Sequence, residues 1–158
     1  MRRMAMALSV AAAVIFAVGL SAQAKKDFTG KWTVDTEKTT AANPAPAGGG
    51  GGGRGAGGRG GGGPMTIAQD AKTLTITRTT QNGDQKTVYN LDGTETTVQM
   101  GGRNGATEGK ATAKWDGDKL VITVTGGQQP QVTKYYMDGD WLVSENATGR
   151  KTYYKKGM

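Results

Sequence analysis

Residues 28–35 read Phe-Thr-Gly-Lys-Trp-Thr-Val-Asp, an alternation of apolar and polar side chains. In an extended strand, successive side chains point to opposite faces. Phe28, Gly30, Trp32 and Val34 therefore share one face, and Thr29, Lys31, Thr33 and Asp35 share the other. An indole on the inner face needs a closed core to pack against, so the question for the rest of the chain is whether it supplies one.

Upstream of this stretch the sequence reads as an address. Arg2 and Arg3 give a basic start, Ala5 to Leu20 is almost wholly apolar, and Ser21-Ala22-Gln23-Ala24 ends in small-x-small. That is the pattern of a signal peptide, residues 1–24, cleaved after Ala24. An exported protein, periplasmic or secreted, is expected, with no stable membrane span after cleavage. No cysteine follows the cleavage site, so no lipid anchor is attached there. Removing 24 of the 158 residues leaves 134, the size of a single domain, 25–158.

Removing Arg2 and Arg3 lowers the formal charge of +7 to +5. Basicity so mild, and spread along the chain, favours solubility and does not mark a nucleic-acid groove. The chain has no cysteine, so packing and hydrogen bonds must hold it without disulfides. It has no histidine either, which removes the commonest general base and the commonest transition-metal ligand. A nucleophile with its base is hard to assemble from what remains, so no enzyme is expected and no cofactor is called for.

Downstream of Asp35 the pattern breaks. Glu37 to Ala47 carries Asn43-Pro44 and Pro46, and Gly48 to Gly63 is glycine interrupted only by Arg54, Ala56 and Arg59. Proline disfavours helix and strand, and glycine this dense loses too much backbone entropy on ordering. Residues 36–63 are thus expected to form a long disordered glycine-rich loop. From Pro64 onward the chain turns to short alternating runs. Strands are expected near Met65–Gln69, Thr73–Thr79, Lys86–Leu91, Thr94–Met100, Gly109–Trp115, Lys119–Thr125, Gln131–Met137, Trp141–Glu145 and Lys151–Lys155. Asn82-Gly83, Asp92-Gly93, Asp116-Gly117 and Asp138-Gly139 stand between them, the dipeptides of tight hairpins.

With the Trp32 strand this makes about ten strands. Leu74 with Ile76, Ala111 with Ala113 and Trp115, and Leu120 with Ile122 and Val124 each share a face, as do Trp141, Val143 and Glu145. A ten-stranded open meander would leave two bare edges and one apolar face. Closure into an up-and-down antiparallel β-barrel, or into two nearly orthogonal sheets, removes both, and the barrel is the architecture expected.

Gly30-Lys31-Trp32 in a first strand followed by such a meander resembles the calycin superfamily of lipocalins and fatty-acid-binding proteins. Trp-Asp-Gly-Asp-Lys-Leu-Val (115–121) and the Tyr154-Lys155 ending are similar to small lipocalin-like exported bacterial proteins. The resemblance covers roughly residues 27–35 and 64–156. It implies a barrel that encloses a ligand. The fatty-acid-binding proteins place a helical lid where Thr36–Gly63 falls here, and their carboxylate-binding Arg-x-Tyr is echoed by Lys151-Thr152-Tyr153.

The function expected is therefore the binding of a small hydrophobic or amphiphilic ligand inside a monomeric barrel. The lining candidates are Trp32, Ile76, Arg78, Trp115, Ile122 and Tyr136, with Arg78 the partner for an acidic head group. The alternative is a structural or surface-interaction module of the cell envelope with a filled core. The pairs Asp116/Asp118 and Asp138/Asp140 bracket glycines and read as turn residues; they lack the spaced ligand set of a calcium loop.

Overall fold

The computed structural model describes residues 25–44, 64–80, 83–102 and 105–157, with the backbone alone for 101, 102, 105 and 106. The leader at 1–24, the glycine stretch at 48–63 and Asn82 of the first expected hairpin lie outside the described residues. Ten strands form one antiparallel sheet: β1 (Gly30–Val34), β2 (Met65–Gln69), β3 (Thr73–Thr80), β4 (Gly83–Asn90), β5 (Thr96–Gly102), β6 (Gly105–Asp116), β7 (Lys119–Thr125), β8 (Gln131–Asp138), β9 (Trp141–Asn146) and β10 (Lys151–Lys156). Their order is β4-β3-β2-β1-β10-β9-β8-β7-β6-β5.

The first strand joins the last. Trp32 stands opposite Met65 of β2 and Lys156 of β10, so β1 is the seam of the barrel. The barrel is nearly closed. Its two remaining edges, β4 and β5, lie side by side without a ladder between them. This corrects the hairpin expected at Asp92-Gly93. Asp92 Oδ1 accepts from Thr94 N at 2.8 Å, and Leu91 N donates back to Lys72 O at 2.7 Å, so the link crosses the gap. Gly93 has φ +86° and lies beneath the Lys114 side chain, where a Cβ would collide.

Alternation selects the inner face as expected along most strands. Phe28, Trp32, Met65, Ile67, Leu74, Ile76, Leu120, Ile122, Leu142 and Tyr154 are all buried in one cluster. Phe28 fills the end of the barrel next to the turns after β2 and β6. Its ring centroid lies 5.6 Å from that of Trp115, and Trp32 Nε1 donates to its carbonyl at 2.8 Å. Gln69 holds the approaching chain with both ends of its amide: Phe28 N donates to Oε1 and Nε2 donates to Lys26 O.

The chain between β1 and β2 differs from expectation. Thr36–Ala42 is a helix, α1. Asp35 caps it by accepting from Lys38 N at 3.0 Å, with Glu37 in the first turn, and Asn43-Pro44 ends it. Seven residues cannot hold a helix alone; tertiary contact overrides the breakers nearby. Where β10 runs past the end of β1, α1 takes over as its neighbour. Tyr153 N donates to Thr39 Oγ1 at 2.9 Å, Lys151 N donates to Asn43 Oδ1 at 3.0 Å, and Asn43 Nδ2 donates back to Lys151 O. Helical side chains thus satisfy a strand edge that would otherwise be bare.

That docking builds a small second core outside the barrel. Val143 and Tyr153 are buried beneath α1, and Lys38 Nζ sits 3.7 Å from the Trp141 ring centroid. Trp141, Val143 and Glu145 therefore lie on the outer face, which corrects their assignment to the interior. Leu142 and Ser144 point inward instead, because the register sets them beside Met137, Tyr135, Tyr154 and Thr152.

Candidate functional site

Leu74, Ile76 and Arg78 share the inner face of β3, and Arg78 ends this series opposite Met65 and Gln85. Its guanidinium crosses the interior: Nη2 donates to Tyr135 Oη on β8 at 2.9 Å. Nε is buried and has no partner. Tyr135 and, behind it, Tyr154 and Tyr89 raise the pKa of this arginine against the opposing effect of burial. No carboxylate is among the groups acting on it. Among the described residues, moreover, the inner face of the strands carries no Asp or Glu, by register and alternation. An uncompensated cation inside a barrel is costly unless something pairs with it.

Two of the tyrosines around it, Tyr89 and Tyr154, are held protonated. Burial pushes the Tyr89 phenol up to about 12, assisted by Tyr135 and opposed by Arg78. Burial also raises Tyr154, with Tyr135 adding to it, while a hydrogen bond with Ser144 and the charge of Arg78 pull the other way. Phenols in this state donate and accept, so these two add hydrogen-bonding groups to the surround of Arg78. Two further inward groups, Thr96 Oγ1 and Trp115 Nε1, are buried without partners.

No family model matches the chain, and no curated protein matches it. Among solved structures, human cRBP IV, a cellular retinol-binding protein, superposes with a TM-score of 0.55 at 17% identity, covering 84% of this chain and 99% of that one. A mutant of the fluorescent protein UnaG superposes with a TM-score of 0.55 at 17% identity, covering 83% of this chain and 96% of that one. The chain has the calycin fold.

Within this calycin barrel the six expected lining residues divide. Trp32, Ile76 and Ile122 are in the buried core, Trp115 packs against it, and Arg78 reaches Tyr135 through the interior. Tyr136 is not with them. Its hydroxyl meets Glu145 Oε2 at 3.0 Å and Lys119 Nζ lies 4.7 Å from its ring, both on the outer face. Tyr135 takes the inner position. The sequence held the cue, since Lys134 two residues before Tyr136 shares its face and a lysine resists burial. Tyr154 is marked in the same way by Lys151, Tyr153 and Lys155 on the opposite face. The Arg-x-Tyr echo does not form an internal site. Tyr153 lies under α1 and only Thr152 of that triplet faces inward.

Proposed function

We propose that this is a non-enzymatic exported barrel that binds a small amphiphilic ligand in its interior, with an acidic group of the ligand paired to Arg78. One observation carries the reading: a buried guanidinium nitrogen without a partner, in an interior whose inner faces hold no carboxylate among the described residues. A carboxylate there would accept from Nε and from the remaining Nη hydrogens, the bidentate geometry that arginine offers such groups. The apolar cluster would shelter the rest of the ligand. The fold neighbours support interior binding, since one of them is a retinol-binding protein.

Native mass spectrometry of the protein purified from its own host, followed by organic extraction, tests the reading. A stoichiometric passenger bearing an acid, lost in Arg78→Ala, is the expected result. An empty protein to which no lipophilic dye binds would mean a filled barrel, whose outer surface then carries the function.

A further inference from the structure

Accepting interior binding at Arg78, on which this inference rests, the two ends of the barrel differ in a way that selects the ligand. At the Phe28 end the interior is close-packed: Phe28, Leu74, Leu120 and Leu142 are each 0% exposed, and Trp32 is 2% exposed. At the opposite end the inward positions change character. Ile76 faces Thr87 across the β3–β4 ladder, Ile122 faces Thr133 across β7–β8, and Tyr135 faces Ser144, which faces Thr152. These four hydroxyl residues are half-buried, as is Arg78. Tyr154, inward on β10, hydrogen-bonds Ser144.

A long alkyl chain needs apolar room deep in the barrel, and the deep residues are already packed against one another. From β4, β8, β9 and β10 the solvent-reaching end receives hydroxyls, each able to donate and accept, around Arg78, while Met65, Met100 and Val124 face them from β2, β5 and β7. The geometry points to a compact, hydroxyl-bearing monocarboxylate as the ligand, with its acid on Arg78 and its hydroxyls on Thr87, Thr133, Ser144 and Thr152. Among the described residues Arg78 is the one inward cation at this end, since Lys156, inward by register, stands over Trp32 toward the other, and one cation selects a monoanion. The half-buried threonines replace the hydrogen bonds that the ligand's hydroxyls give up on leaving water, which apolar walls would not do.

Isothermal titration calorimetry of the protein purified from its host tests this with lactate, 3-hydroxybutyrate and gluconate against oleate and neutral sorbitol. Saturable one-to-one binding of at least one short acid is expected, with none for sorbitol. Arg78→Gln should weaken that binding about tenfold or more, the loss of a charge-assisted pair. Thr133→Val combined with Ser144→Ala should weaken it by about fivefold or more and leave any oleate binding unchanged. Should Arg78→Gln fail to fold, the Thr133→Val/Ser144→Ala protein carries the same decision. Oleate binding that requires Arg78, with no short acid bound, overturns the compact acid and leaves interior binding standing. Short-acid binding indifferent to these substitutions places the ligand elsewhere and overturns the inference. No binding of any probe, with no passenger in the native spectrum, overturns both.

Discussion

Replacing Trp32 should come close to unfolding this protein, and two substitutions separate the reasons. The indole is 2% exposed in the central cluster, so Trp32→Ala removes a large buried side chain from packed surroundings. Such truncations cost about 3–5 kcal/mol. The indole also donates to the Phe28 carbonyl at 2.8 Å in a buried hydrogen bond. Removing the donor strands that carbonyl, at about 1–3 kcal/mol more. The total, about 4–8 kcal/mol, compares with a whole stability of about 5–15 kcal/mol for a domain. Trp32→Phe keeps much of the volume and loses the donor, so it should cost about 1–3 kcal/mol. Urea unfolding followed by far-ultraviolet circular dichroism reads both without relying on the fluorescence of the residue removed. The reasoning fails if Trp32→Ala lies within about 1 kcal/mol of wild type, or if the two variants cost the same.

Three more expectations follow from particular contacts. The Tyr89 phenol ordinarily ionises near pH 10 and is pushed to about 12 in the folded barrel. A raised folded pKa gives stability that is complete below pH 10 and lost as pH rises toward 12. Urea midpoints should fall across that window, and Tyr89→Phe should flatten the fall by up to about 1.4 kcal/mol per pH unit; an unchanged slope would show that Tyr89 is not held neutral. Asn43→Ala removes three hydrogen bonds, two of them to the Lys151 backbone, and should cost about 1–3 kcal/mol. Amide exchange at Lys151 and Tyr153 should quicken, and unaltered exchange would mean that α1 does not protect that edge. Arg78→Met should leave stability within about 1 kcal/mol of wild type in urea, because a hydrophobic replacement relieves an unpaired cation while losing one hydrogen bond. A loss above about 2 kcal/mol would make Arg78 a structural residue.

The strands were legible because those from Thr73 to Lys155 have a charged or turn residue marking their ends and, in most of them, an alternating pattern between. Met65–Gln69 and Lys119–Thr125 have the bounds expected from sequence. Closure of β1 on β10 followed from the need to hide two edges. What was not legible depends on contacts distant in sequence. Thr36–Ala42 is a weak helix until Tyr153 and Lys151 offer it partners more than a hundred residues away. The same contact inverts the reading of Trp141-Leu142-Val143. Two large apolar residues mark the inner face only when nothing covers the outer one. Asp92-Gly93 has hairpin chemistry, but turn residues set only the local bend and not whether the next strand pairs. In the site, Arg78 was visible by parity with Leu74 and Ile76. Its hydroxyl neighbours were not, since threonine is common on both faces of strands and only the register shows which ones face inward.

The register also separates what holds the barrel from what the barrel offers. Phe28, Leu74, Leu120 and Leu142 pack tightly toward one end, while Arg78, Thr87, Thr133, Ser144 and Thr152 lie toward the other, where Met65 opposite Arg78 is the buried apolar neighbour. A polar interior is tolerable there because the hydrophobic burial needed for stability is concentrated elsewhere, and because half-buried hydroxyls keep access to water. Substitutions at sites with no shared partners are close to additive. Changes at Phe28 or Leu120 should therefore alter stability without altering ligand preference. Changes at Thr133 or Ser144 should do the reverse. A Leu120→Ala protein that still folds but shows a changed order of ligand affinities would mean that the packed end reaches the ligand after all.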